Sequence, residues 1–232
     1  MSHQRTVYVV DRDLASRRAL TTHLARIGAE AWPFAGGAEF LEILDHLTPA
    51  CVLLDMEIAA PSGLEVLAEL GHRRPGWPVV ATSAAPQVSV AVDAMKLGAL
   101  DFLEKPVDAA TLAAALTPAW ASLETSLEQN ETRRRAGERL GRLTPRELDI
   151  ALALFAGRSN KAVAHLLNIS VRTVEMHRAH IMAKLAVRTL AEAAVLATQA
   201  GLAAEPPRPV PAPAPGLGAP AVLLPRRFAA RG

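Results

Sequence analysis

Five times in its first 120 residues the chain passes from a short apolar run to a stretch of helical period, and few architectures accept that alternation. The apolar runs lie at 7–10, near 31–35, at 51–55, at 79–83 and at 99–103. The helical stretches lie at 14–27, near 37–46, from 63, near 87–97 and from 107. Strands that return through a helix run parallel, and a parallel sheet needs helices on both faces. The expected first domain is an α/β doubly wound five-stranded parallel sheet, whose functional loops gather at the carboxyl ends of the strands. Ser62 followed by Glu65 supplies a capping box for the third helix.

Residues 119–141 change character, with helix formers and charges dominant and few apolar positions. Leu123 and Leu127 offer one turn of a coiled-coil seam, but Asn130, Arg134 and Gly137 occupy the next seam positions. The segment reads as a solvated helical linker. Residues 143–202 form a second, all-helical pattern with clear ends. Thr144-Pro145-Arg146-Glu147 joins a capping box to proline at the first helical position, and Gly157 stops that helix. A short helix at 160–167 turns at Asn168-Ile169, Ser170 caps a third helix to about Leu185, and Thr189 with Glu192 reads as a further capping box. Beyond Ala203 the chain is rich in proline and alanine and cannot build a core. The expected organisation is a sheet domain at 1–120, a linker at 121–140, a separate all-α four-helix domain at 141–203, and a disordered tail at 204–232.

Composition excludes several classes. No run of about 18 uncharged apolar residues exists, and the polar start MSHQRT lacks the apolar stretch of a signal peptide. A soluble, cytoplasmic protein with no membrane partner is expected. Cys51 is the single cysteine, so neither an internal disulfide nor a cysteine zinc site can form, and it reads as a buried thiol. The net charge of +2 hides a division. Residues 1–122 carry 9 Lys/Arg against 14 Asp/Glu, whereas residues 123–232 carry 16 against 9. A basic second half suits contact with nucleic acid.

Asp11, Asp55, Thr82 and Lys105 each fall at or just after the end of an expected strand, where side chains converge on one crevice. A carboxylate there can attack phosphorus if a cation, a hydroxyl and a lysine offset the incoming charge. The first half resembles the receiver domain of two-component response regulators, a flavodoxin-like fold. The matching residues are Val9-Val10-Asp11, Leu53-Leu54-Asp55, Pro61-Ser62-Gly63, Thr82-Ser83, Ala94-Met95-Lys96-Leu97-Gly98-Ala99, Asp101-Phe102 and Lys105-Pro106. The resemblance implies that Asp55 accepts a phosphoryl group from a sensor histidine kinase and that Lys105, ahead of a cis proline, contacts it. It also implies that Thr82 and Phe102 form a switch pair, and that Mg²⁺ is held by Asp11 and the Glu57 backbone carbonyl.

One departure stands out. The family has two adjacent acids after the first strand, whereas this chain reads Asp11-Arg12-Asp13. Arginine stays protonated and cannot ligate a cation, so Arg12 is expected to weaken Mg²⁺ binding and is a candidate partner for Asp55. Asp13 reads first as the N-cap of the first helix and only secondarily as a metal ligand. Two readings follow: a phosphorylated receiver, and a pseudo-receiver that works without phosphate.

Within 170–185 one stripe, Val174, Ile181 and Leu185, is apolar, while Arg172, Glu175, Met176, Ala179 and His180 point away from it. That division suits the recognition helix of a helix-turn-helix. Phosphates would be met by Lys161, Thr173, His177, Arg178 and Lys184. Over roughly 140–202 the chain resembles the LuxR-type helix-turn-helix. The residues that carry this are Leu143-Thr144-Pro145-Arg146-Glu147, Gly157-Arg158-Ser159-Asn160-Lys161, Ile169-Ser170-Val171-Arg172-Thr173-Val174-Glu175, His177 and Lys184-Leu185. Val171 to Ala179 look most like the FixJ-like branch. The resemblance implies a homodimer on two-fold double-stranded DNA, with the last helix as its dimer surface. Arg226, Arg227 and Arg231 of the tail could add nonspecific affinity.

An enzyme is not expected, because neither a Gly-x-Gly-x-x-Gly nor a Gly-x-x-x-x-Gly-Lys phosphate loop is present. A protein-interaction module tethered to DNA remains the other alternative to a response-regulator transcription factor.

Overall fold

The computed structural model describes residues 5–202 and divides the chain into two compact units, residues 1–133 and 134–232. The expected tail at 204–232, with Arg226, Arg227 and Arg231, lies outside the described residues.

In the first unit the strands are β1 (Arg5–Val10), β2 (Ala29–Phe34), β3 (Cys51–Asp55), β4 (Val79–Ser83) and β5 (Ala99–Glu104). All pairs are parallel, in the order β2-β1-β3-β4-β5. Between them run α1 (Leu14–Arg26), α2 (Gly37–Ile43) with a 3-10 turn at Leu44–His46, α3 (Gly63–Arg73) and α4 (Val88–Lys96). The long α5 (Ala109–Leu140) follows β5. Strand order reverses between β1 and β3, so the loops after these two strands flank the switch point where such sheets bind ligands.

Alternate residues of the buried strands feed two separate cores. Val7, Val9, Cys51 and Leu53 face Leu20, Leu24, Leu112 and Leu116 of α1 and α5. Tyr8, Val10, Val52 and Leu54 face Phe40, Val66, Leu70 and Ala94 of α2, α3 and α4. The Ser62–Glu65 capping box is present in full.

Two elements differ from their sequence reading. β2 starts at Ala29, earlier than expected, because Gly28 at φ +76 turns the chain straight from α1 into the strand. Pro33 is tolerated there because β2 is an edge strand. The stretch read as two pieces, a helix from 107 and a linker, is one helix of 32 residues with Pro118 inside it. Trp120 and Leu123 are buried in the α1/α5 core and Leu127 packs against it.

The second unit holds the last turns of α5 and four further helices, α6 (Pro145–Phe155), α7 (Asn160–Leu167), α8 (Val171–Leu185) and α9 (Leu190–Gln199). Ile150, Leu154, Val163, Val174, Ile181 and Leu185 form its centre. Thr144, Ser159, Ser170 and Thr189 each accept an N–H of the helix they open. The expected box at Thr189 is only half formed. The Glu192 carboxylate accepts from the Arg188 N–H instead of that of Thr189. The ends of α7 and α8 pass through left-handed Asn168 and Ala186. Arg146 donates to the Leu167 carbonyl at 2.8 Å, and Arg139 donates to the Leu185 and Ala186 carbonyls, so arginines close both helices.

Among the described residues no helix is long and apolar enough to cross a membrane.

Candidate functional site

Asp55 ends β3 in register with Thr82 of β4, and both are 1% exposed. Asp11 follows β1 and is equally buried. Lys105 follows β5, where its N–H donates to the Ser83 carbonyl at 2.8 Å. The peptide between Lys105 and Pro106 is cis. The Lys105 ammonium lies 2.8 Å from Asp11 Oδ2 and 2.9 Å from Asp55 Oδ1. One cation thus stands between two carboxylates that burial would otherwise set against each other. The Glu57 N–H donates to Asp55 Oδ1 at 3.2 Å. Phe102, on the neighbouring strand, is half-buried and packs against the α2/α3/α4 core.

The residues around Asp11 decide whether a divalent cation fits. Asp11 Oδ1 accepts the Asp13 N–H at 2.8 Å, and Oδ2 accepts the Ser16 hydroxyl at 2.6 Å beside Lys105. The Asp13 side chain caps α1 through the N–H groups of Ser16 and Ala15, which hold its carboxyl below the usual range. It is thus committed to the helix start while it also lines the cavity beside Lys105. Arg12 is exposed and forms no ion pair among the described residues, so the expectation that it pairs with Asp55 is corrected. Lys105 is already in that place. Glu57 turns its side chain away from Asp55, accepting from the Ser83 hydroxyl and the Ala84 and Ala85 N–H groups. Among the described residues no three His, Cys, Asp or Glu side chains converge on a metal position. The donors that remain are Asp11, Asp55 and the Glu57 carbonyl, and Lys105 already pairs with both carboxylates, so a divalent cation would have to share them with it.

In the second unit α8 buries Val174, Ile181 and Leu185, while Arg172, Glu175, Met176, Arg178, Ala179 and His180 are exposed. Met176 is 51% exposed, a large apolar side chain left in water. Lys161 at the start of α7 is exposed, and Thr173 and His177 are half-buried. The Thr173 hydroxyl lies 2.7 Å from that of Ser170. Lys184 has a partner inside the domain: its ammonium donates to Glu147 Oε2 at 2.6 Å. That bond and the Thr144 N–H hold the Glu147 carboxyl at about 2.

Sequence reasoning missed two side chains of the pocket and two long-range contacts of the helical unit. Ser16 and the Glu57 side chain act across loops, and Glu147 and Arg139 act on a helix distant in sequence. A hydroxyl in the first turn of α1, five residues after Asp11, was the one visible signal.

The comparisons with known proteins agree with this architecture. The family described as response regulator receiver domain matches residues 7–117, and that of bacterial regulatory proteins, luxR family, matches residues 141–197. The transcriptional regulatory protein FixJ of Azorhizobium caulinodans is 38% identical over 206 residues, covering 88% of this chain and 96% of the relative. FixJ of Bradyrhizobium diazoefficiens is 34% identical, covering 87% and 98%. Among solved structures, the response regulator StyR is similar with a TM-score of 0.67 at 32% identity, covering 84% of this chain and 99% of that one. Full-length FixJ from B. japonicum gives a TM-score of 0.52 at 34% identity, covering 86% and 98%. The chain therefore belongs to the response regulators of the FixJ type, transcription factors that join a receiver domain to a LuxR-type DNA-binding domain.

Proposed function

We propose that Asp55 is the phospho-acceptor and that a sensor histidine kinase is its donor in the cytoplasm. The observation that carries this is the Lys105 ammonium held between Asp11 and Asp55 opposite Thr82. A carboxylate oxygen of Asp55 attacks the phosphorus of the donor, and the bond to the donor's histidine nitrogen breaks. Lys105, the Thr82 hydroxyl and the Glu57 N–H are the groups that would offset the charge on the transferred oxygens. Beside them a cavity of about 420 Å³, lined by Ser16, His23, Ala84, Lys105 and Pro106, offers the donor a way in. Receiver domains generally use Mg²⁺; in this chain only Asp11 and the Glu57 carbonyl are left to assist Asp55, so its affinity for the cation is low.

In this reading Thr82 and Phe102 pass the change to α4, β5 and α5, which controls dimerisation and DNA binding. Residues 1–120 serve as the receiver, 121–140 as the linker and 141–203 as the DNA-binding domain. Arg172, Glu175, Met176 and His180 reach base edges of double-stranded DNA, and Lys161, Thr173, His177 and Arg178 meet phosphates. Lys184 contributes to phosphate binding only in competition with Glu147. No catalytic activity on a separate substrate is assigned.

Incubation with acetyl phosphate and Mg²⁺, read by intact mass, tests the acceptor. One phosphoryl group should be gained by the wild type and none by Asp55→Asn, while Arg12→Asp should lower the Mg²⁺ concentration needed. No gain in wild type or Arg12→Asp would sink the reading.

A further inference from the structure

We propose that the Glu57 carboxylate is a positioning group that occupies the anion-accepting corner of the β4–α4 loop and competes there with a phosphoryl group on Asp55. The competition rests on the acceptor reading of Asp55.

Glu57 Oε1 accepts the Ser83 hydroxyl at 3.0 Å, the Ala84 N–H at 3.0 Å and the Ala85 N–H at 2.7 Å. Burial pushes its carboxyl up, but the Ala85 N–H, the Ser83 hydroxyl and the Ala84 N–H outweigh this and hold it below the ordinary range. Three donors aimed at one oxygen make a small anion cradle. The cradle directly follows Thr82, and Glu57 itself is bonded through its N–H to Asp55. The Glu57 backbone thus ties the cradle to the acceptor.

The loop has little else to hold it. Residues 84–87 are Ala-Ala-Pro-Gln, and Gln87, at the N-cap of α4, makes no side-chain cap bond. Of the nine residues of α4 only Ala94 is buried, and Val88, Val92 and Met95 are exposed. A helix with so few buried contacts depends on its entry being pinned. A phosphoryl group brings roughly −1.5 to −2 units of charge to Asp55 and seeks N–H and hydroxyl donors. Its donors are Lys105, Thr82 and the Glu57 N–H, and Thr82 directly precedes the three that hold the Glu57 side chain, so the two anions repel and each weakens the hold on the other. Glu57 is expelled, and the loop and the first turns of α4 are released.

Full-length Glu57→Gln and Glu57→Ala variants test this by hydrogen–deuterium exchange over residues 84–92 and by beryllofluoride titration with Mg²⁺ in the buffer. In the unmodified protein Glu57→Ala should speed exchange on the order of tenfold, and Glu57→Gln less, because its amide oxygen still accepts. Both variants should bind beryllofluoride about three- to tenfold more tightly, a gain that a merely structural role would not produce. Unaltered exchange in both variants, or beryllofluoride affinity that stays the same or falls, overturns the proposal. Failure of the Asp55 reading is recognised separately, since the wild type would then take no beryllofluoride at all.

Discussion

The Lys184 ammonium and the Glu147 carboxylate meet at 2.6 Å, joining the last turn of α8 to the first turn of α6. Glu147 also closes the capping box with Thr144, so one carboxylate serves the helix start and the lysine together. Its carboxyl lies at about 2 against an ordinary 4.5, because Lys184 and then Thr144 donate to it. A depressed carboxyl contributes stability that is present above the unfolded value and lost as pH falls through the folded one. Urea midpoints of the isolated helical transition should therefore decline between about pH 4.5 and pH 2 in the wild type, with a shallower decline in Glu147→Gln. Glu147→Ala should cost about 1–3 kcal/mol at neutral pH, through a lost cap and an unpaired lysine.

Removing the cation from the receiver pocket leaves two carboxylates that are each 1% exposed. Lys105→Met should destabilise the first unit by about 3–5 kcal/mol. Combining it with Asp55→Asn should recover part of that loss, because one of the two negative charges is then gone. Thermal melts of the four proteins in this cycle measure the recovery, and strictly additive losses would show that Lys105 does not couple to Asp55.

Gly63 gives a geometric handle on the acceptor. A Cβ built there would lie 2.7 Å from Met56 Cα and 2.9 Å from the Asp55 carbonyl oxygen. Both neighbours are backbone, so the end of β3 must shift. Gly63→Ala should cost about 1–3 kcal/mol and should weaken beryllofluoride binding even though Asp55 and Lys105 are untouched. Wild-type affinity in a folded Gly63→Ala protein would argue against a tightly placed acceptor.

The DNA-facing groups separate by the kind of loss. Lys161→Ala and Arg178→Ala should weaken binding to all duplexes and lower the salt slope by about one unit each. Glu175→Ala and Met176→Ala should leave the slope intact while altering the preference among operator variants by about 1–3 kcal/mol per base pair. Fluorescence anisotropy across a salt series distinguishes the two patterns. Glu147→Gln should raise the salt slope, because Lys184 becomes free to meet phosphate.

Much of this was legible in the sequence, for identifiable reasons. The strands at Cys51–Asp55 and Val79–Ser83 are buried along their whole length, so their unbroken apolar runs marked them. The helix ends at Ser62, Thr144 and Ser170 were readable because capping is local, spanning three residues. The stripe of Val174, Ile181 and Leu185 followed from helical period alone. The role of Glu57 was not readable, because its partners Ser83, Ala84 and Ala85 come from another strand end. The pairing of Lys184 with Glu147 is hidden for the same reason, its partner being 37 residues away. Leu123 and Leu127 fall in the stretch that reads as linker because the residues after them are mostly charged, although their spacing places them on one helical face with Trp120.

Cys51 is fully buried in β3, and burial lifts its thiol to about 12. At neutral pH it is neither ionised nor within reach of an electrophile while the sheet is intact. A chemist thus inherits a natural blank: a reporter cysteine placed at Val88, which is 82% exposed, would take a fluorophore or spin label with no background to remove. The same thiol, silent in the folded protein, becomes a timer for opening of the sheet once a labelling reagent is present.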